Sequence, residues 1–199
     1  PIGAAEGLIN LYYNQHIDED LSEQHVLSCD EYVAAPNKGG PTPETLRFLE
    51  EDGVVLESCF PWQGYECPCD TIIKCTSPNR KIKIENWNNW TARDKTNEQI
   101  KQYVLQYGPF AGSVNYKKYD TLGNINGGGA HAMCLEGYGV VKAGDLLWVR
   151  GIYGMPENYT VPTNSPLIGS TYWIFKNSAS TNSGNQGYCY YVIDGVRNT

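Results

Sequence analysis

The chain has 199 residues, of which 15 are basic and 22 acidic, giving a formal net charge of −7. This acidic balance, without any stripe of clustered Lys and Arg, argues against nucleic acid as a partner. No apolar run approaches the length of a membrane span, and no basic-then-apolar leader stands at the N-terminus, so we expect neither a transmembrane helix nor a retained signal peptide.

The first predicted helix begins close to the N-terminus. Apolar residues recur there at helical spacing, namely Ile2, Ala5, Leu8 or Ile9, and Tyr12. Pro1 suits the first turn of a helix, where no intrahelical donor is needed. The polar run that follows contains His16, which we expect on a solvated surface.

A second helix is predicted from the residues around Ser22. This serine is a typical N-cap, and Leu21 before it and Val26 four positions after it form the pattern of a hydrophobic staple. The helix should run to about Cys29. We expect His25 on its polar surface, in a solvated role rather than a catalytic one.

A glycine pair interrupts the chain before a third predicted helix. Gly39 and Gly40 are followed by Pro41, after which Thr42 is the predicted cap and Gly53 stands just past the helix end. On composition alone, the glycines and the proline describe a loop that precedes a helix.

Seven cysteines suggest an oxidising compartment. They are Cys29, Cys59, Cys67, Cys69, Cys75, Cys134 and Cys189. A zinc site in residues 59–75 is disfavoured, because Cys67-Pro68-Cys69 lacks the usual two-residue spacing and no His lies nearby. We expect the four cysteines of this loop to form two disulfides among themselves. Cys134 and Cys189 stand in apolar strands and should be buried thiols.

Two short motifs agree with this compartment. Asn89 and Asn158 each begin an Asn-X-Thr glycosylation acceptor, a pattern that also occurs by chance. Together with the disulfides they favour the secretory pathway, meaning an extracellular, lysosomal or vacuolar location.

The second half of the chain is predicted to be rich in strands. Residues 81–87 alternate as a strand, and Thr96 with Gln99 forms a capping box for a helix that Gly108 stops. Short strands follow at residues 110–115, 131–138, 146–149, 171–176 and 188–193. Helices followed by strands predict an α+β chain with two lobes, residues 1–108 and 109–199.

Two polar residues stand at the ends of apolar strands. His131 begins one strand, and Asn177 comes directly after the dense apolar strand of residues 171–176. A carboxamide that accepts from one ring nitrogen would set the tautomer and leave the other nitrogen for a nucleophile. Taken singly, each residue is more typical of a structural position or a turn.

Several motifs resemble, in order, those of papain-family cysteine peptidases: the block Leu21 to Cys29, Gly39-Gly40, the strand from His131, and Lys176-Asn177-Ser178 with Gly187-Tyr188. The resemblance implies a papain-like fold with a helical lobe and a β-barrel-like lobe. It also implies His131 and Asn177 as catalytic residues, and substrate contacts at Gly39, Gly40, Pro41 and Ala130. A peptide or protein substrate and an upstream propeptide or subunit are implied partners, and we expect no cofactor and no metal.

The chain also departs from the family pattern. The nucleophilic cysteine of the family would lie roughly five residues before Pro1. The family resemblance pairs Cys29 with another cysteine of that upstream segment. Ala179 and Ser183 stand where tryptophans shield the catalytic amide, and residues 140–170 form an insertion that we expect to be a two-stranded excursion.

These departures leave two functions open. The complete protein is either a cysteine peptidase or a pseudoprotease that binds a peptide or belongs to a larger assembly. A third and weaker interpretation is a storage or structural protein that uses the fold as a rigid block.

Overall fold

A computed structural model describes residues 1–32, 40–65, 67–71, 80–89, 95–119, 125–150, 156–178, 181 and 185–192. The chain divides into two units, Pro1–Trp90 and Thr91–Thr199. The predicted lobes are residues 1–108 and 109–199, so they place the helix around residue 100 in the first lobe, whereas it belongs to the second unit. The division into lobes stays a prediction. Within the described part of the chain, no helix combines the length and apolarity needed to cross a bilayer.

In its described residues, the first unit has three α-helices and one short 3₁₀ helix. They are α1 (Ile2–Tyr13), α2 (Glu23–Cys29), α3 (Thr42–Glu51) and a 3₁₀ turn at Cys69–Thr71. The predicted cap of α2 is confirmed, since Ser22 Oγ accepts from the His25 N–H at 2.9 Å. For α3 the cap is Pro41 rather than Thr42, one residue earlier than predicted.

The core of the first unit joins the three helices to the extended chain that follows them. Its most deeply buried members are Leu21, Leu49 and Val54, with Val26 and Phe48 packed beside them. All are apolar, so the transfer of their surface from water is the main force that holds the helices together.

The disulfide pattern differs from the prediction. Cys29 is bonded to Cys69, with their Cα atoms 4.9 Å apart, and Cys59 is also disulfide-bonded. Cys67 is a buried thiol. Two predictions are therefore wrong: that Cys67 and Cys69 pair inside the 59–75 loop, and that the partner of Cys29 lies upstream. Cys75 lies outside the described residues.

The reason for the error is that a disulfide needs its Cα atoms within about 4.4–6.8 Å, a distance that tertiary packing sets and sequence spacing does not. The C-terminal end of α2 lies against the 3₁₀ turn, which brings Cys29 to Cys69 across 40 residues. The Cys67 sulfur faces α2 instead, with Gln24 Nε2 at 3.4 Å and Ser28 Oγ at 3.3 Å.

His25 is also placed differently from the prediction. Its side chain is 1% exposed and lies against the rings of Phe48 and Phe60. Its Nδ1 accepts the Val55 N–H at 3.4 Å. Burial, and secondarily the positive charge of Lys81, lowers the pKa of His25 to about 4. The polar neighbours in sequence suggested a solvated surface, but Gln24 beside it is buried as well.

The part of the second unit that the structure describes has one helix and two antiparallel sheets. The elements are α4 (Asn97–Tyr107), β1 (Phe110–Tyr119), β2 (Ile125–Val140), β3 (Leu146–Arg150), β4 (Pro156–Thr160), β5 (Thr171–Lys176) and β6 (Tyr188–Val192). The main sheet has the order β1-β2-β5-β6, and β3 pairs with β4 alone. The predicted capping box of α4 is confirmed at Thr96 and Gln99.

The insertion is a two-stranded excursion, as predicted. β3 and β4 form an antiparallel pair, with Trp148 opposite Asn158. At its base, Val141 N–H donates to Ser170 O, and Gly169 N–H donates to Val141 O, both at 2.9 Å. This closure brings the end of β2 beside the start of β5, so the two strands pair directly despite the long connection.

Candidate active site

His131 and Asn177 meet at one end of the β2–β5 pair. Cys134 of β2 is opposite Lys176 of β5. His131 is three residues before Cys134 and Asn177 is one residue after Lys176, so both lie beyond the last paired residues at the same end. His131 Nε2 is 2.8 Å from Asn177 Oδ1. The expectation that the two side chains are adjacent is therefore confirmed.

A tight turn holds Asn177 in this position. Asn185 and Tyr188 exchange two backbone hydrogen bonds, of 2.9 and 3.0 Å, around Gln186 and Gly187. Both central residues have positive φ, 53° and 93°, as in a type I′ hairpin turn. The Gly187 carbonyl then accepts the Asn177 N–H at 2.8 Å. This turn opens β6 and ties the end of β5 to it.

The hydrogen bond between His131 and Asn177 determines the tautomer of the imidazole ring. A carboxamide oxygen only accepts, so Nε2 carries the proton and donates it to Asn177 Oδ1. In the neutral ring, Nδ1 is then the basic nitrogen. Because Asn177 is 7% exposed, water competes little for this bond. The pair can orient a base that removes a proton from a nucleophile.

None of the cysteines that the structure describes opens an α-helix. Cys29 ends α2 and is in a disulfide, and Cys69 is its partner. Cys134 stands within β2, where burial first, and then the charge of Glu136, raises its pKa to about 12. Such a thiol stays protonated at neutral pH and is a poor nucleophile.

The remaining residues expected at the site are placed as follows. Gly40 and Pro41 are exposed in the first unit, where Pro41 precedes α3, while Gly39 lies outside the described residues. Ala130 is on β2, next to His131 and opposite Asn115 of β1. Of the glycosylation acceptors, Asn89 is exposed and Asn158 is on β4.

One contact of the site was not predicted from the sequence. Asn177 Nδ2 donates toward Cys189 Sγ at 3.9 Å. The sequence indicated a buried thiol at Cys189, which is confirmed, but not that its sulfur would face the amide. The pairing of β5 with β6, which places Phe175 opposite Cys189, is what brings them together.

Comparisons with known proteins indicate the family of the chain. The family model described as papain family cysteine protease matches residues 1–198. Cysteine proteinase 1 of Entamoeba histolytica is 26% identical over 187 residues, which are 88% of this chain and 49% of that protein. Viral cathepsin of Heliothis zea nuclear polyhedrosis virus is 30% identical over 195 residues, covering 94% and 43%. The chain thus spans about half the length of these relatives.

Solved structures share the fold. Digestive procathepsin L 3 of the Tenebrio molitor larval midgut superposes with a TM-score of 0.66 at 22% identity, covering 99% of this chain and 57% of that one. A cysteine protease of Carica candamarcensis gives 0.59 at 20% identity, covering 95% and 74%. The α+β class and the papain-like fold are therefore established. From the match over nearly its whole length, the chain belongs to the papain family of cysteine proteases.

Proposed function

We propose that the complete protein is a cysteine peptidase in which His131 is the general base and Asn177 its orienting residue. The observation that carries this proposal is the 2.8 Å hydrogen bond from His131 Nε2 to Asn177 Oδ1. It leaves Nδ1 as the basic nitrogen, which is the state that a thiol nucleophile requires.

The nucleophile is a cysteine upstream of Pro1. In the complete protein, the helix that includes α1 (Ile2–Tyr13) would extend upstream, and a cysteine at its N-terminal end would have its thiolate stabilised by the helix dipole and by an imidazolium. The thiolate attacks the carbonyl carbon of the peptide, the amine leaves with a proton from His131, and water hydrolyses the acyl-enzyme. That this chain covers about half of its relatives supports a longer parent protein.

The substrate is a peptide or protein bound in an extended form. Gly39, Gly40 and Pro41 would accept its backbone, because glycine leaves room for a close approach and Pro41 presents an extended conformation with φ −64° and ψ 132°. Ala130, beside His131, would contact the residue near the cleaved bond. A propeptide is a second proposed partner, and one of the solved relatives is a procathepsin.

We place the protein in the secretory pathway, as an extracellular, lysosomal or vacuolar enzyme. The disulfide Cys29–Cys69 and the second one at Cys59 support this location, since the cytosol keeps most thiols reduced. Asn89, an exposed acceptor, is a proposed glycosylation site together with Asn158.

The experiment compares two forms of the protein. The 199-residue chain and a version extended upstream are incubated with a mixture of fluorogenic peptides under mild reduction. We expect thiol-dependent hydrolysis by the extended form alone, because loss of the nucleophile removes most of the rate. Robust turnover by the short chain would contradict the proposed position of the nucleophile.

A second candidate is a pseudoprotease that binds a peptide or a larger assembly. It is favoured by Ala179 and Ser183, which replace the tryptophans expected around the catalytic amide in the family. If neither form hydrolyses any peptide while both bind a peptide mixture, this second function is the better one.

A further inference from the structure

An ion pair joins the end of α2 to the middle of α3. Asp30 is the C-cap of α2, and its backbone N–H donates to Val26 O at 3.0 Å. Arg47 Nη2 lies 3.1 Å from Asp30 Oδ1, and the Asp30 side chain is fully buried. Among the residues that the structure describes, Arg47 is the only cation paired with this carboxylate. Because a buried charge without its partner is costly, the pair keeps α2 and α3 at a fixed distance.

Tyr32 joins the same pair from the α2 side. Its backbone N–H donates to Asp30 Oδ1 at 3.0 Å. Its ring lies against the Arg47 guanidinium, whose Cζ is 4.8 Å from the ring centroid, as in a cation–π contact. The chain that leaves α2 and the helix α3 are therefore both attached to one carboxylate oxygen.

The start of α3 is connected to this pair by further hydrogen bonds. The core holds the helix mainly beyond its first three residues, where its buried members lie: Thr45, Phe48 and Leu49. Arg47 reaches back towards the start, since its Nε donates to Glu44 Oε2 at 3.3 Å. The Glu44 N–H donates in turn to the carbonyl of the cap, Pro41, at 3.2 Å.

We propose that Asp30 and Arg47 are positioning residues for substrate binding, because they fix the start of α3 and with it Gly40 and Pro41. This role rests on the proposed function, in which Gly40 and Pro41 accept the backbone of an extended peptide. Both are exposed, and Gly40 directly precedes the cap. A shift of α3 against α2 would displace this surface, and a displacement of about 1 Å is enough to weaken a positioned contact.

The test measures KM and kcat of the upstream-extended protein with the best-cleaved peptide of the fluorogenic mixture. Asp30→Asn keeps the shape of the side chain and an acceptor for the Tyr32 N–H, but removes the charge that holds Arg47. We expect KM to rise about three- to thirty-fold and kcat to stay within about two-fold. The reason is that a binding contact made equally in the ground state and the transition state affects KM alone.

Two further variants separate this pair from other effects of charge. Glu51→Gln is the matched control, because Glu51 also binds Arg47, at 2.5 Å, but within α3 and at an exposed position. It should leave KM unchanged. A double variant tests whether the two residues act together: Arg47→Gln added to Asp30→Asn should raise KM no further, since the contact is already lost.

An unchanged KM in a folded Asp30→Asn protein would overturn the proposal, as would an equal rise in Glu51→Gln or a fall in kcat at constant KM. If Asp30→Asn fails to fold, Arg47→Gln removes the pair from its more exposed side and carries the same expectation. An extended parent protein that hydrolyses none of the peptides rejects the peptidase. Fluorescein-labelled versions of the same peptides are then bound instead, and their Kd replaces KM in every comparison. Absence of any peptide binding by the parent protein rejects both proposals.

Discussion

His25 illustrates how the surroundings of one side chain change its chemistry. It is buried against Phe48 and Phe60 and accepts the Val55 N–H, so its ring is held neutral. Because the pKa is about 4 in the folded chain and about 6.5 for an unperturbed histidine, the unfolded chain binds the proton more readily. Acidification therefore favours unfolding through this residue.

The first prediction concerns stability and pH. The contribution of His25 to stability is complete above pH about 6.5 and is lost as the pH falls towards 4, by roughly 3 kcal/mol in total. His25→Asn keeps an acceptor near the Nδ1 position and does not titrate. The free energy of unfolding, measured by urea titration between pH 7 and pH 4, should therefore fall less in this variant.

His16, an exposed histidine, provides the control. The His16→Asn variant is measured beside the parent chain at each pH. Carboxylates also titrate in this pH range, but their contribution to stability is common to all variants and cancels in the comparison. If His25→Asn and the parent lose stability in parallel, the ring of His25 is not held neutral by burial.

At the scale of elements, the same kind of cap occurs in two different environments. Ser22 Oγ caps α2 and also donates to the Phe60 carbonyl at 2.5 Å, in the buried core. Thr96 caps α4 at an exposed position, through the Gln99 N–H at 3.3 Å. Because a buried acceptor that loses its donor has no water to replace it, the two caps differ in their importance for stability.

The second prediction is that Ser22→Ala lowers the free energy of unfolding more than Thr96→Ala does. We expect about 2–3 kcal/mol for Ser22→Ala, from the lost cap and the orphaned Phe60 carbonyl, against about 1 kcal/mol for Thr96→Ala. Urea titration followed by circular dichroism measures both. Equal costs would mean that water reaches the Phe60 carbonyl once the hydroxyl is removed.

The third prediction concerns the turn that holds Asn177. Gly187 has a φ of 93°, which costs a residue with a side chain about 1–2 kcal/mol. Gly187→Ala should destabilise the chain by this amount. Gly112→Ala is the matched control, because a Cβ at this position of β1 would meet no atom within 4 Å. A Gly187→Ala chain as stable as the parent would contradict the turn conformation.

At the scale of the whole molecule, one disulfide links parts of the first unit that are distant in sequence. Cys29–Cys69 closes a separation of 40 residues and ties α2 to the 3₁₀ turn. A crosslink of this span reduces the freedom of the unfolded chain, and the chain-entropy model gives about 4 kcal/mol for it.

The fourth prediction follows from this pairing. Peptide mapping without reduction should recover a fragment that joins Cys29 to Cys69, with Cys67 modified by alkylating reagents only after unfolding. Cys69→Ser should lower the free energy of unfolding by about 2–4 kcal/mol. Cys67→Ser, two residues away, should have a smaller effect, since it breaks no bridge. Recovery of a Cys67–Cys69 or Cys59–Cys69 fragment would refute the pairing.

The helices, the caps at Ser22 and Thr96 and the strands of the candidate site followed from local patterns. Ser22 and Thr96 were identified as caps because capping involves residues three positions apart, and β5 was identified because its apolar run is dense. The family resemblance placed His131 and Asn177 together, and the register of β2 with β5 brings them within 2.8 Å. Such features depend on neighbours along the chain or on motifs of known order.

The burial of His25, the pairing of Cys29 with Cys69 and the contact of Cys189 with Asn177 did not follow from local patterns. Each joins residues whose separation in space is set by packing: the core of the first unit, the position of the 3₁₀ turn, and the register of β5 against β6. A sequence pattern indicates which side chains are buried. It does not indicate which polar atom contacts them, because that depends on distances of a few ångströms between segments far apart in the chain.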